Sequence, residues 1–565
     1  MSAFDPAAYD FDAFLRYDDM VAWLHHIAAA HPHLVSIETY GYSYEGRKLW
    51  LATVTDTSTG DHTTKPAYWV DANIHAVEVT GGVAALHLIN RLVTGFASAD
   101  PLVTEALRTR TFYVAPRVNP DGVEAALADR PVYHRSSVRS WPWVDGHRWP
   151  GHYLEDIDGN GRILTMRIAD PDGAWTAHPD DDRVMVPVPP EGVPAGTKRY
   201  RLLSEGRVRD YDGFTIPMPR DPSGLDLNRN FPAGWSTTVT GAGDHPMSEP
   251  EIDALVRTVR ARPNVCGYNA YHTFGAVLLR PSSTKADAAL PPLDVWAWKE
   301  LGAKGTELTD YLVHSVYEDF TWDKDDVMSG AGDDWAYEHL GLLGWTTEFW
   351  DVMHHATGER APTKIWYVGP TPEQELKVAK WADEHAPGDY VPFTKFDHPD
   401  LGEVEIGGAD FFRVWTNPPK SKLKAEVAGH AEFAIHQALA SPRLEIRRAQ
   451  AEPLGNDVWQ VTLGVSNTGW LPTQISQWAA KHNLVLPVVV SIESDEISIV
   501  NGVSRVKLGQ LEGRMAYRVN GGAWSDGTPD RAQHVWTVKA RPGTVVTLTA
   551  SHQRAGSAST TITLG

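Results

Sequence analysis

A change of hydrophobic period constrains this chain more than any other feature. From residue 11 to about 395, short β-rich runs alternate with stretches whose apolar residues recur at helical spacing. "AYWVDANI", "TRTFYVAPRVN", "NVCGYNAYHTF" and "LLGWTTEFW" are such runs, with "EVTGGVAALHLINRLV" and "SEPEIDALVRTVRAR" among the helical stretches between them. Beyond about Arg443 only strand-like runs remain, separated by Gly, Pro, Asn and Asp turns; they include "DVWQVTLGVSN", "LVLPVVVSIES", "RMAYRVNGG", "HVWTVKARP" and "TVVTLTASH". The first pattern predicts an α/β domain with a mixed, helix-covered sheet, and the second an all-β sandwich. The expected division is a first domain over residues 1–395, a linker strand and helix over 396–442, and the sandwich over 443–565. Residues 123–224 break the α/β rhythm with prolines, acids and tryptophans, and predict an insertion that rims a pocket.

Charge and composition remove several classes of partner. The formal net charge of −21, with no basic block, argues against nucleic acid and anionic membranes. No segment approaches the ~18 apolar residues of a membrane span, and the opening MSAFDPAAYDFDAF lacks the basic and apolar regions of a secretion signal. Cys266 is the one cysteine, so no internal disulfide forms and a cytoplasmic address is favoured; an exported protein stripped of its leader would look the same. Nothing in the sequence specifies an oligomeric state.

Polar residues at the ends of the β-rich runs are the candidates for chemistry. His75 and Glu78 stand three apart in what reads as the first turn of a helix, so they share a face and are placed to address one metal ion. A catalytic zinc takes three protein ligands and an open position, and His272 follows another β run. Asn228 and Arg229 precede a helix-breaking proline, and Glu348 ends a strand-like run, where a lone carboxylate needs a partner or an acid/base role. Open α/β sheets place their sites at the carboxyl ends of strands.

At this point the chain resembles the zinc metallocarboxypeptidases related to pancreatic carboxypeptidase A. The resemblance runs from about Ala8 to His385 through "HAVE", "RVNPDG", "LDLNRNFP", "MSEPE", "YHTFG", "GAGDDWAYEHLG" and "TTEFW", in that order. It implies that His75, Glu78 and His272 ligate one zinc, that Glu348 is the general base for the attacking water, and that Arg229 with Asn228 clamps the terminal carboxylate of a peptide substrate. Within "YHRSSVRSWPW" it offers Arg135 or Arg139 as the arginine that stabilises the oxyanion, with Arg139 preferred because an apolar residue precedes it. Asp333 falls where the family sets side-chain preference, and an acid there marks members that cleave basic C-terminal residues; a loop-capping aspartate is the alternative.

Three features depart from that pattern or add to it. The family's mobile tyrosine is replaced by Asp326, with Tyr311 and Tyr317 as candidate substitutes, and the usual Ser-Tyr pair after the third ligand reads Thr273-Phe274. "EDIDGNGRI" carries Asp156, Asp158 and Asn160 at the alternating positions of the first half of a calcium loop, although the twelfth position is Arg167 instead of glutamate; a plain Asp-Gly turn is the alternative. The expectation is therefore a zinc carboxypeptidase, with calcium as a second cation. Its rivals are an amidase or peptidase acting on cell-wall peptides, modified peptides or N-acyl amino acids, and a non-catalytic peptide- or glycan-binding module.

Overall fold

The structure, a computed structural model, describes residues 4–142, 149–218, 224–321, 323–324, 327–360, 369–519 and 527–565. Its centre is an eight-stranded mixed sheet of β1 (Val35–Tyr42), β2 (Lys48–Val54), β3 (Ala67–Ala72), β4 (Thr111–Ala115), β5 (Val265–Thr273), β6 (Val277–Arg280), β7 (Leu312–Ser315) and β8 (Leu343–Phe349). The order is β1-β2-β4-β3-β5-β8-β6-β7. β4, β3, β5 and β8 run parallel, so their carboxyl ends open on one crevice. Every residue of β3, β4 and β5 is buried, which is why these strands read as continuous β-rich runs.

Helices cover both faces of this sheet. Thr80–Ala97, Pro292–Thr309 and Lys420–Ala440 share one core with Tyr68, Val70 and Trp345, while Pro250–Arg260 and Gly332–Leu340 close the other around Trp69 and Tyr268. The helix Lys420–Ala440, expected in a linker, packs on Thr80–Ala97 and Pro292–Thr309 as part of the first domain. Its Leu423, Val427, Ala431, Ala434 and Ala438 recur at helical spacing and are buried in the core shared with those helices.

The expected boundary at residue 395 also falls inside a strand. Tyr390–His398 and Gly402–Ala409 form a hairpin that pairs with the insertion strand Thr165–Ala169. With Tyr200–Ser204, Trp175–His178 and Asp181–Pro187 they make a second, six-stranded antiparallel sheet. From Leu444 onward two four-stranded antiparallel sheets pack face to face around Val461, Leu463, Trp536, Val546 and Leu548. "RMAYRVNGG", expected as a strand, instead holds a short helix at Ala516–Val519, and residues 520–526 lie outside the described set. Among the described residues no helix is long and apolar enough to cross a membrane.

Candidate active site

The metal-site candidates sit at the carboxyl ends of two neighbouring parallel strands. After β3, Asn73 takes a left-handed φ of 56° and donates its side-chain amide to the Glu78 carbonyl at 2.6 Å. This folds His75 and Glu78 into a turn before the helix, which starts at Thr80, so they are not in its first turn as the spacing predicted. Gly82 permits the approach, since a Cβ there would stand 2.3 Å from Asn73 Oδ1. His272 lies in β5, in register with Glu348 of the adjacent β8. The strand pairing thus brings residues 197 and 273 positions from His75 into one site.

All three candidate ligands are buried and their donor atoms converge. His75 Nδ1 is 2.8 Å from Glu78 Oε1, His272 Nδ1 is 3.0 Å from Glu78 Oε2, and the two Nδ1 atoms are 3.1 Å apart. Only one proton fits between two such nitrogens, whereas one cation would satisfy both and the carboxylate together. Burial opposes charge on Glu78, yet the imidazoles beside it hold its carboxyl well below the usual range. The donor set therefore fits zinc.

Asp226 completes the arrangement and was not singled out from the sequence. It accepts from His75 Nε2 at 3.0 Å, leaving Nδ1 for the metal, which is the usual way a second group orients a ligating imidazole. It also accepts from Arg135 Nε at 3.1 Å and from the Asn228 N–H at 2.8 Å. Its only signal was its place two residues before Asn228 in "LDLNRN".

A cavity of about 230 Å³ opens over the donors. His75, Glu78 and His272 line it together with Asn228, Arg229, Asp333 and Glu348, and so does Arg135. Burial holds Glu348 well above the usual carboxylate range, with the charge of Glu78 adding to the rise and Arg135 opposing it. Its Oε2 is enclosed and has no hydrogen-bond partner among the described residues. Asn228 Oδ1 accepts from the Gly332 N–H at 2.9 Å, tying the arginine segment to the helix that carries Asp333. Burial also raises Asp333, against the pull of the Asp334 N–H, Thr346 and Arg229.

The preference for Arg139 is corrected here. Arg139 makes a two-pronged pair with buried Glu249, at 2.9 and 2.7 Å, and reaches Asp244 at 3.1 Å; it does not line the cavity. Ser136 sets the direction: its hydroxyl donates to the Ile74 carbonyl and accepts from the Leu227 N–H, so the residue before it faces the donors. Arg135 accordingly contacts Glu78 at 3.2 Å.

The replacement phenols fare no better. Tyr311 is buried behind the sheet, Tyr317 packs against Lys324 and is not among the cavity-lining residues, and Asp326 lies outside the described residues. The calcium candidates come together in part. Asp156 and Asp158 meet Glu205, while the side-chain nitrogen of Asn160 donates to Asp158 and so offers no lone pair there. Every carboxylate oxygen of the three acids already accepts a hydrogen bond, mostly from the backbone of the turn.

Residues 20–160 and 162–364 match the family profile described as zinc carboxypeptidase, and 443–563 match a domain of unknown function. Carboxypeptidase B of Astacus astacus is 26% identical over 201 residues, covering 36% of this chain and 57% of that protein. Carboxypeptidase A6 of Mus musculus is 29% identical over 358 residues, 61% of this chain and 62% of that protein. The chain thus spans less than two thirds of the length of these two relatives. Among solved structures, thrombin activatable fibrinolysis inhibitor aligns with 77% of this chain and 75% of its own at 16% identity, with a TM-score of 0.43.

Proposed function

Because the chain belongs to the zinc carboxypeptidase family, we propose that it is a zinc-dependent carboxypeptidase that removes the C-terminal residue of peptides. The observation that carries this reading is the single cavity in which His75, Glu78 and His272 converge beside Glu348 and two arginines. His75 Nδ1, His272 Nδ1 and the Glu78 carboxylate would hold the zinc, which in such a site supplies a Lewis acid and makes water a competent nucleophile near neutral pH.

The remaining work falls to side chains of this chain. Glu348 Oε2, with no other described partner, takes the proton of the attacking water and returns it to the departing amine. Arg135, lining the cavity in contact with Glu78, stabilises the charge that develops on the carbonyl oxygen. Arg229 with Asn228 receives the terminal carboxylate, because a planar guanidinium can hold it through two parallel hydrogen bonds. Asp333 stands at the same cavity with apolar neighbours Leu279, Val316 and Met328, a combination that suits the methylenes and cation of a lysine or arginine side chain.

The test compares free-acid and amidated peptides, with and without chelator. Losing the terminal charge forfeits a charge-assisted pair of about 1.5–3 kcal/mol, so amidation should lower kcat/KM at least ~10-fold. Chelation should stop turnover and zinc should restore it. Equal cleavage of both peptide forms would reject the carboxypeptidase reading, while a preference for apolar C-termini would reject only the role of Asp333.

A further inference from the structure

The segment from Asp410 to Ala440 lies beyond the stretch that matches the zinc carboxypeptidase profile, and none of its residues lines the cavity. It nevertheless grips both halves of the site from behind. Asn417, fully buried, accepts from the Thr80 N–H at 3.1 Å and the Thr80 hydroxyl at 2.9 Å, and its side-chain nitrogen donates to the Val77 carbonyl at 2.9 Å. The helix Thr80–Ala97 has Val79 at its N-cap, which cannot cap it, so a residue 337 positions away does so. Val77 lies between His75 and Glu78, so the same amide fixes the ligand turn.

The second grip is on the strand that carries Glu348. Glu426 accepts a hydrogen bond from the Tyr311 hydroxyl, and the Tyr311 oxygen accepts from the Trp350 N–H at 2.9 Å. Trp350 is buried at a left-handed φ of 70°, which a tryptophan adopts only when its surroundings impose it. Its carbonyl accepts from the Gly275 N–H at 2.7 Å, joining the chain after Glu348 to the chain after His272. Phe349 and Tyr311 pack around the His430 ring, with centroids 4.4 and 4.6 Å away, and His430 comes from the same helix as Glu426.

We infer that Asn417 is a positioning residue for the metal-ligand turn, and that the Glu426–Tyr311 pair positions Glu348. The inference rests on the proposed roles of His75, Glu78 and Glu348. Small displacements of a catalytic group cost large factors in rate, and groups that orient metal ligands typically govern affinity by 10–100-fold.

The experiment uses full-length protein and reads zinc affinity by chelator competition, kcat, KM and Tm. Asn417→Ala should weaken zinc at least ~10-fold. Tyr311→Phe, which keeps the ring and loses the hydroxyl, should lower kcat about 10-fold or more, with KM within about twofold and zinc affinity unchanged. Ile435→Ala, a core truncation in the same helix away from both grips, should lower Tm and leave zinc affinity and kcat alone. Normal zinc affinity in Asn417→Ala with normal kcat in Tyr311→Phe would overturn the inference, as would Ile435→Ala reproducing both defects. Glu348→Gln is run beside them. If it stays active the base assignment falls and the Tyr311 inference with it, whereas an inactive Glu348→Gln beside a fully active Tyr311→Phe removes only the positioning role.

Discussion

Among the described residues, two places gather three metal-ligating side chains within reach of one another, and they differ in what their donor atoms face. At His75, Glu78 and His272 the donor atoms face each other, and nearby Glu348 Oε2 has no described partner. At Asp156, Asp158 and Glu205 every carboxylate oxygen accepts a hydrogen bond, chiefly from the N–H groups of Ile157, Gly159, Gly161 and Leu164. The donor set of the first group fits a cation; the second closes a turn and fastens it to the neighbouring strand end. Proximity of donors is shared by both, so it distinguishes nothing. What marks the first is a pair of imidazole nitrogens 3.1 Å apart, between which only one proton fits.

The largest effect expected from that distinction is at Glu348. A positioned base is worth ~10²–10⁴ in rate, so Glu348→Gln should lower kcat by that factor while zinc stays bound. Because burial already disfavours the ionised form of Glu348, the amide should not lower Tm. Loss of zinc together with activity would show that Glu348 holds the metal site instead of using it, and would blur the contrast between the two clusters.

Position, and not engagement, separates two arginines four residues apart, since each pairs with two carboxylates. Arg135 faces the cavity and Arg139 is saturated by Glu249 and Asp244. Removing a group that stabilises an oxyanion costs ~10²–10³ in kcat, which is the loss expected for Arg135→Leu. Arg139→Leu should leave kcat within about threefold and lower stability, because a buried carboxylate loses its partner. Steady-state kinetics and thermal melts of the two variants settle the assignment, and an exchange of their phenotypes would restore Arg139 to the chemistry.

How much of this was legible in advance follows from what each residue's role depends on. The candidate ligands and Glu348 stand at or just past strand ends within local motifs, Arg229 closes the short turn Leu227–Arg229 of its own motif, and the pairing of β3, β5 and β8 needed only to bring those strand ends together. Asp226, Asn417 and Glu426 act on groups that neighbour them only in the fold, so no local spacing announces them. Arg135 and Arg139 both precede a serine, the apolar residue before Arg139 pointed to it, and the choice between them depends on Ser136 bonding to two other segments. The helix Lys420–Ala440 read as a linker because it follows the last α/β alternation, yet its apolar stripe was visible and should have argued for the core. The hairpin that completes the second sheet pairs with an insertion more than 200 residues earlier, a register no window of sequence displays.

A smaller effect is expected at the engaged cluster. Asp156→Ala would strip acceptors from the Gly159, Asn160 and Gly161 N–H groups, a loss of about 1–3 kcal/mol in stability, with kcat and zinc content unchanged. A drop in kcat on the same scale as at Arg135 would mean that this turn shapes the cavity and is more than a local fastening.

The smallest effect is a pH dependence at Glu205, and it tests the comparison most directly. Burial pushes its carboxyl up to about 7, against the pull of the backbone N–H groups it accepts from. A carboxyl raised above its unfolded value of 4.5 contributes stability that is fully present below that value and is lost as the pH rises through 7. Wild-type stability should therefore fall relative to Glu205→Gln between pH 4.5 and about 7, measured as the difference between their melting temperatures. A cation bound at Asp156, Asp158 and Glu205 would favour the ionised form and reverse that slope. With the oxygens already engaged, millimolar calcium should leave the wild-type profile unchanged at pH 8. If calcium instead raises the wild-type Tm by several degrees there and does nothing to Glu205→Gln, hydrogen bonds to the turn leave room for a metal, and the cluster must be counted with the zinc ligands as a second cation site.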